Sequence, residues 1–415
     1  MQYTPRIADG ELEKRLKAAG AVLVEGPKAC GKTETARQVA NSEVLLDIDK
    51  DARDAAELNP ALILNGDVPR LIDEWQFVPE VWNHVRRAVD DRRNPGQFIL
   101  AGSAQPTDEK TRHTGAGRIS RLAMRPMSLY ELGIGNGEIS LAALLGSRPG
   151  EATDPGFELG DLAEAICRGG WPAFRDLELP EALRQVRDYL GEIPRGDIQR
   201  FGERHRPERV MRLIQSLARN VATSVTARTL AADASRPEDP VSDEAVANYL
   251  SSLARLFVVE DQPAWQPHLR SRYRLRRSAK RHFVDPSLAV AALQAGPDAL
   301  MRDLNFLGLL FESMALRDLR IYAQSVDGEV AHYQDSGDLE VDAIVTTEDA
   351  WGAFEIKLGG EKRIEEGAAN LIKFKERIDT SRSGEPAILA IIVATGYGYI
   401  REDGIQVVPI GSLGP

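Results

Sequence analysis

The chain has 415 residues, a net charge of −11, 43% apolar and 28% charged residues, and two cysteines, Cys30 and Cys167. This is a globular composition sized for two to three domains. It excludes a disulfide framework, suits a reducing cytoplasm, contains no apolar run near the roughly 18 residues of a membrane span, and makes a poor general polyanion binder. The opening residues Met1 to Arg6 lack an apolar signal core, so a cytoplasmic location without membrane contact is expected.

Residues 1–150 alternate strand and helix patterns. Strands are expected at 21–25, 44–48, 70–73, 97–101 and 118–124, with helices such as Glu11 to Ala19 and Pro79 to Asp91 between them. This alternation predicts an α/β fold with a parallel sheet covered on both faces. Between the first strand and the helical segment Glu34 to Ala40 lies Gly26-Pro27-Lys28-Ala29-Cys30-Gly31-Lys32-Thr33. It matches G-x-x-x-x-G-K-[ST] in the strand–loop–helix context of a phosphate-binding loop. Loop amides and the helix start point at an anion. Lys32 brings a point charge to the β/γ-phosphates, and Thr33 offers a hydroxyl to Mg²⁺. Gly26 to Glu34 are therefore the expected nucleotide-binding residues, with ATP and Mg²⁺ as cofactors.

Arg70-Leu71-Ile72-Asp73-Glu74-Trp75-Gln76 is an apolar strand ending in two acids. This is the Walker B pattern: Asp73 for Mg²⁺, with Thr33, and Glu74 as the base that orients water. The second acid favours hydrolysis over transfer to an acceptor. Strand 97–101 runs into Gly102-Ser103, where Ser103 stands at a sensor position for the γ-phosphate or the water.

Ser147 to Gly156 reads as a turn-rich linker. From about 157 to 265 the pattern is helical, broken at Gly169-Gly170-Trp171-Pro172. Helices at Glu208 to Asn220, Thr226 to Ala234 and Asp243 to Leu256, the last capped by Ser242, precede a strand at 257–260. Three helices and a strand suggest a winged helix, although the third helix is poor in basic residues, so packing or protein contact competes with DNA reading. Residues 268–282 then carry Arg270, Arg272, Arg274, Arg276, Arg277, Lys280 and Arg281 and no acid. They form either a polyanion-binding strand or a charged edge that deters sheet pairing.

The last part restarts with a helix, Asp303 to Arg320, followed by strands at 329–334, 339–346 and 351–357, a helix at 361–378, and strands at 387–394 and 405–410. Asp342, Glu355 and Lys357 form a D-x(n)-E-x-K pattern. Residues 355 and 357 share one strand face, and Glu312 on the preceding helix is within reach of the same point. Such a set can hold Mg²⁺ and activate water for phosphodiester cleavage, or be charged residues on a half-exposed sheet.

Taken together, several segments resemble a large prokaryotic group of AAA+-like ATPases carrying a C-terminal domain of unknown function. These are Gly26 to Thr33, Leu71 to Gln76, Leu100 to Ser103, Gly117-Arg118-Ile119, Arg125 to Leu132, Gly169 to Ala173, Phe311-Glu312, Glu340 to Asp342 and Phe354 to Lys357. The resemblance implies an AAA+-type core at 1–150, a helical and winged-helix region at 151–282, and a restriction-endonuclease-like, PD-(D/E)xK-type domain at 283–415. It implies ATP and Mg²⁺ at Lys32, Thr33, Asp73 and Glu74. It also places Arg118 where such ATPases carry an arginine finger, which acts in trans and requires a homo-oligomer, with a surface salt bridge as the alternative. Ser103 and Cys30 depart from the group's usual pattern. The expected activity is ATP hydrolysis coupled to a DNA-associated task. The alternative is a nucleotide-switched module that binds a protein partner through a catalytically inactive nuclease-like domain.

Overall fold

The computed structural model describes residues 3–103, 114–198, 206–267, 279–335, 337 and 339–415. It separates into two compact units. One holds Met1–Pro126 with Ser252–Phe257, and the other Met127–Ser251 with Val258–Pro415. The helical middle and the C-terminal sheet, expected as separate regions, thus fall in one unit.

In the first unit the elements run α1 Ile7–Ala18, β1 Ala21–Glu25, α2 Lys32–Arg37, β2 Ser42–Leu45, α3 Lys50–Leu58, β3 Arg70–Asp73, α4 Val81–Arg92, β4 Phe98–Gly102 and β5 Ile119–Ala123. The five strands are all parallel in the order β2-β3-β4-β1-β5. Alternation along β1 sends its side chains to two cores. Ala21 and Leu23 pack with Trp82, Val85 and Val89 of α4, whereas Val22 and Val24 pack with Leu12, Leu16 and Ala36 of α1 and α2. Both faces are covered at the central strands, which is why β1 and β4 read as continuous apolar runs. β2 ends three residues before its expected limit because the chain turns at Asp47 to Asp49, where the Asp49 carboxylate caps α3 by accepting from Ala52 N–H at 2.9 Å.

The second unit contains β6 Ile139–Ser140, α5 Leu141–Leu145, α6 Leu159–Arg168, α7 Leu179–Glu192, α8 Pro207–Arg219, α9 Ala227–Ala234 and α10 Asp243–Arg255, whose last residues Ser252–Arg255 group with the first unit. β7 Val259–Gln262, β8 Lys280–Phe283, α11 Ser287–Ala292, α12 Pro297–Arg302 and α13 Leu304–Gln324 follow. β9 Glu329–Gln334, β10 Glu340–Thr346, β11 Trp351–Lys357, α14 Glu361–Arg377, α15 Thr380–Ser383, β12 Ile388–Val393, β13 Tyr399–Ile400, β14 Gln406–Pro409 and β15 Leu413–Gly414 complete it. Three helices, α8 to α10, precede a two-stranded antiparallel ladder, β7 with β8. β7 begins at Val259, two residues later than expected, because Phe257 takes a left-handed conformation, φ 55°, after α10. The arginines Arg270, Arg272, Arg274, Arg276 and Arg277 lie outside the described residues.

The C-terminal sheet is mixed, in the order β13-β14-β12-β11-β10-β9. β11, β12 and β14 are parallel neighbours, and β9, β10 and β11 antiparallel ones. Helix α14 packs on it through Ala368, Leu371 and Phe374, which join Val341, Trp351, Ala353 and Ile391 in one core. The segment expected as a linker is docked on this sheet. Gly150 exchanges hydrogen bonds with the Gln406 carboxamide at 3.2 and 2.8 Å, Ala152 bridges Gly398, and β6 pairs with β15. Turn residues there serve a tight fit and not a free tether.

Two motifs from the sequence meet in a buried polar knot. The Arg317 guanidinium donates to Asp285 Oδ2 at 2.7 Å and to Asp318 Oδ1 at 2.8 Å. Asp318 accepts from Leu129 N–H at 3.0 Å, and Asp285 from Gly170 N–H at 2.9 Å. The Trp171 indole donates to Ser287 Oγ at 3.0 Å. A Cβ on Gly170 would lie 2.1 Å from the Met127 carbonyl oxygen, so only glycine lets the two backbones approach.

Candidate functional site

The phosphate loop leaves β1 and enters α2 through two left-handed residues, Ala29 at φ 60° and Gly31 at φ 102°. A Cβ on Gly26 would stand 2.2 Å from the Met124 carbonyl oxygen, so the loop root is fitted against β5's end without room for a side chain. Arg6 braces the loop from below, donating to the Cys30 carbonyl at 2.7 Å and the Arg125 carbonyl at 2.8 Å. Nothing in the sequence pattern pointed to Arg6.

Lys32 is buried, and its ammonium donates to the carbonyls of Gly26 at 3.1 Å and Pro27 at 2.8 Å. It therefore lies within the curve of its own loop, where an incoming phosphate would compete with those carbonyls for it. Thr33 Oγ1 donates to Asp73 at 3.1 and 3.0 Å to its two oxygens. A hydroxyl and a carboxylate in contact are the oxygen donors that Mg²⁺ takes. Burial pushes the Asp73 carboxyl up to about 6, against the hydrogen bond from Thr33. Glu34 turns outward to Arg37 at 2.7 Å. The Cys30 thiol is fully buried and belongs to the core cluster of Val24, Leu122 and Met124.

Glu74 follows β3 in a left-handed conformation, φ 51° and ψ 39°, uncommon for a residue with a side chain and characteristic of functional turns. Its carboxylate accepts from the Gln76 carboxamide and from Ser103 Oγ at 3.3 Å. Ser103 thus touches Glu74, the residue expected to act as base. Gln76, part of the acidic segment in the sequence pattern but given no role there, holds the Glu74 carboxylate from the side. Gly102 leaves room for it, since a Cβ there would lie 2.6 Å from Gln76 Oε1. Trp75, between the two, is buried against Trp82 with ring centroids 5.3 Å apart. Arg118 pairs with Asp90 at 2.8 Å and precedes the N-terminal end of β5, where its carbonyl accepts from Ala21 N–H. That is the opposite end of the parallel strands from the phosphate loop, which leaves the C-terminal end of β1.

The second candidate site lies on the C-terminal sheet. Asp342 on β10 stands beside Glu355 and Lys357 on β11, and Glu312 comes from α13, as the sequence led us to expect. Their partners differ from a metal centre. Asp342 Oδ2 accepts from Ile356 N–H at 2.8 Å and Lys357 Nζ at 3.1 Å. Glu355 takes Lys357 at 2.5 Å on one oxygen and the Asn370 carboxamide at 2.7 Å on the other. Lys280 pairs with Glu312 at 2.9 Å, with Glu340, and lies 3.8 Å from Asp342 Oδ1. Burial pushes Glu355 up to about 8 and Glu312 up to about 7, against the pull of their lysines. Burial opposes the charge on Lys280 and Lys357, but the surrounding carboxylates hold both above the ordinary lysine range. Among the described residues no three acidic, histidine or cysteine side chains group as metal ligands. With the basic run, Lys280 is expected on a polyanion-binding strand or on a charged, solvated edge. It is instead 5% exposed and turned into this cluster, while Arg281 donates to the Val225 carbonyl at 3.0 Å.

The parallel sheet, the loop and the acids after β3 define the first unit as a P-loop ATPase-type domain. Residues 18–133 match the model of an AAA domain. Residues 159–299 match a domain of unknown function (DUF8612), and 307–413 another (DUF4143). Two relatives are the uncharacterized proteins Rv2008c of Mycobacterium tuberculosis and Mb2031c of Mycobacterium bovis. Each is 26% identical over 356 residues, covering 85% of this chain and 73% of its own length. A solved structure, the Walker-type ATPase PABY2304 of Pyrococcus abyssi, aligns with 69% of this chain and 94% of its own at 14% identity and a TM-score of 0.39. No helix among the described residues is long and apolar enough to cross a membrane.

Proposed function

We propose that the chain binds ATP with Mg²⁺ and hydrolyses it at the loop–β3 site. The observation that carries this reading is the contact of the Thr33 hydroxyl with both Asp73 oxygens. Thr33 and Asp73 would hold Mg²⁺, which when bound neutralises phosphate charge. The Lys32 ammonium moves from the carbonyls of Gly26 and Pro27 to the phosphates, a charge-assisted exchange favoured over neutral acceptors. Glu74 accepts the proton of the attacking water, and Ser103 and Gln76 act through Glu74. Steady-state hydrolysis and fluorescent-nucleotide binding test it. Lys32→Ala should lose both; Glu74→Gln should retain binding while turnover falls by about 10²–10⁴, the range of a lost general base. Wild-type turnover in Glu74→Gln would overturn the assignment.

The nucleotide cycle serves a macromolecular task in the second unit. A DNA-associated task is supported by the basic run 268–282 and by the winged-helix-like order of α8–α10, β7 and β8. The nucleotide-switched protein-interaction module is favoured by one observation: Lys280 and Arg281, two of that run's seven cations, have partners within the protein. ATP hydrolysis with and without DNA, and DNA binding across salt, separate these readings. Stimulation and steep salt dependence support DNA; no binding in low salt supports the module. Arg118 contributes to hydrolysis only between copies, which a concentration dependence of turnover would reveal.

A further inference from the structure

The expected nuclease-like centre does not fit a divalent metal, and the reason is a residue from outside it. We infer that the Lys280 ammonium is the resident cation of the C-terminal acidic cluster, occupying the place a divalent ion would need, and that the cluster accepts a metal only when this lysine is removed. The inference deepens the reading of the tail as a non-cleaving module and stands apart from ATP hydrolysis.

Three carboxylates from two elements converge on one nitrogen. Glu312 of α13 lies 2.9 Å from Lys280 Nζ, Glu340 of β10 is in direct contact, and Asp342 of β10 is 3.8 Å away. Lys280 itself arrives from β8, which is not part of that sheet. An ammonium has three donors and no acceptor; Glu312 and Glu340 accept from it directly, and Asp342 adds its charge from slightly further away. Three further oxygens of the cluster have other partners. Asp342 Oδ2 is held by Ile356 N–H and Lys357, and Glu355 by Lys357 and Asn370. Two lysines, Lys280 and Lys357, thus stand among four carboxylates. An unpaired acid cluster at this depth would be costly, and a metal or internal cations must compensate it. At a few ångströms a fixed positive charge strongly repels a second cation.

Mn²⁺ binding followed by electron paramagnetic resonance, without nucleotide, tests this. Wild type and Asp342→Asn should bind Mn²⁺ equally, because binding at the cluster is absent from both. Lys280→Met, which keeps the apolar stem, should bind one additional Mn²⁺ at least about tenfold more tightly than wild type, and Lys280→Met with Asp342→Asn should lose the gain. Loss of wild-type Mn²⁺ binding in Asp342→Asn overturns the inference, as does a folded Lys280→Met that gains nothing. If Lys280→Met does not fold, the wild-type and Asp342→Asn comparison decides alone. Failure of ATP hydrolysis leaves these outcomes unchanged, so the two readings fail separately.

Discussion

Replacing Arg317 with leucine removes the cation shared by Asp285 and Asp318. The Arg317 side chain is 2% exposed and both carboxylates are fully buried. Each anion keeps backbone donors, from Gly170 and Ser287 on Asp285 and from Leu129 on Asp318, so neither is stripped of all partners. Loss of one member of a buried pair nonetheless costs about 3–5 kcal/mol, because the remaining charges lie in low dielectric. The backbone donors place the expected loss near the lower end, about 3 kcal/mol. Urea unfolding followed by tryptophan emission suits the measurement, since Trp171 is bonded to Ser287 at the edge of this knot. Arg317→Lys keeps the charge but cannot reach both acids with a rigid fork, so an intermediate loss is expected. A loss below about 1 kcal/mol for Arg317→Leu, with an unchanged denaturant slope, would refute the claim that this knot holds the unit together.

The raised Glu355 carboxyl sets a pH dependence. Its folded pKa, pushed up to about 8, exceeds the ordinary carboxylate value, so the folded state keeps a proton that the unfolded chain has released. Stability is then lost as pH rises through the window up to about 8, and Glu355→Gln should flatten that slope in thermal melts taken from pH 5 to 9. Gly26→Ala drives a Cβ against the Met124 carbonyl; nucleotide binding should fall, and stability should drop by about 1–3 kcal/mol from overpacking. Cys30 should resist thiol reagents in the folded protein and react at the rate of unfolding, because it is fully buried. A Cys30 adduct, once formed, should block nucleotide binding; full ATP binding by quantitatively modified protein would refute that.

The first unit was legible because its signals are local. A four-residue apolar run, Ala21 to Val24, and two acids after Ile72 fix loop, strand and polarity with few alternatives. Strand ends were less legible. β2 stopped early at an Asp49 cap, and β7 started late after left-handed Phe257, since single-residue backbone choices decide such limits. Among the expected site residues, Thr33 meets Asp73, while Lys32 is held by its own loop carbonyls and Glu74 by Gln76 and Ser103. The role of Lys280 was hidden because seven neighbouring cations look alike in sequence, and only the tertiary fold selects which one turns inward. Arg6 and Asn370 carried no signal for the same reason: each acts across a long loop on a backbone or carboxylate that no short-range pattern names. The Gly169-Gly170-Trp171 and Arg125 to Leu132 segments were read as family marks. The fold gives much of that stretch a packing explanation.

The docking of Gly150 on Gln406 joins positions 256 apart in the chain. Strand β6 likewise waits for β15. During synthesis the segment after the first sheet therefore emerges long before its partners exist. At about 5–20 residues per second it stays unsatisfied for some 10–50 seconds. The first unit can close its parallel sheet in that interval, before the partners of the segment after it have been made.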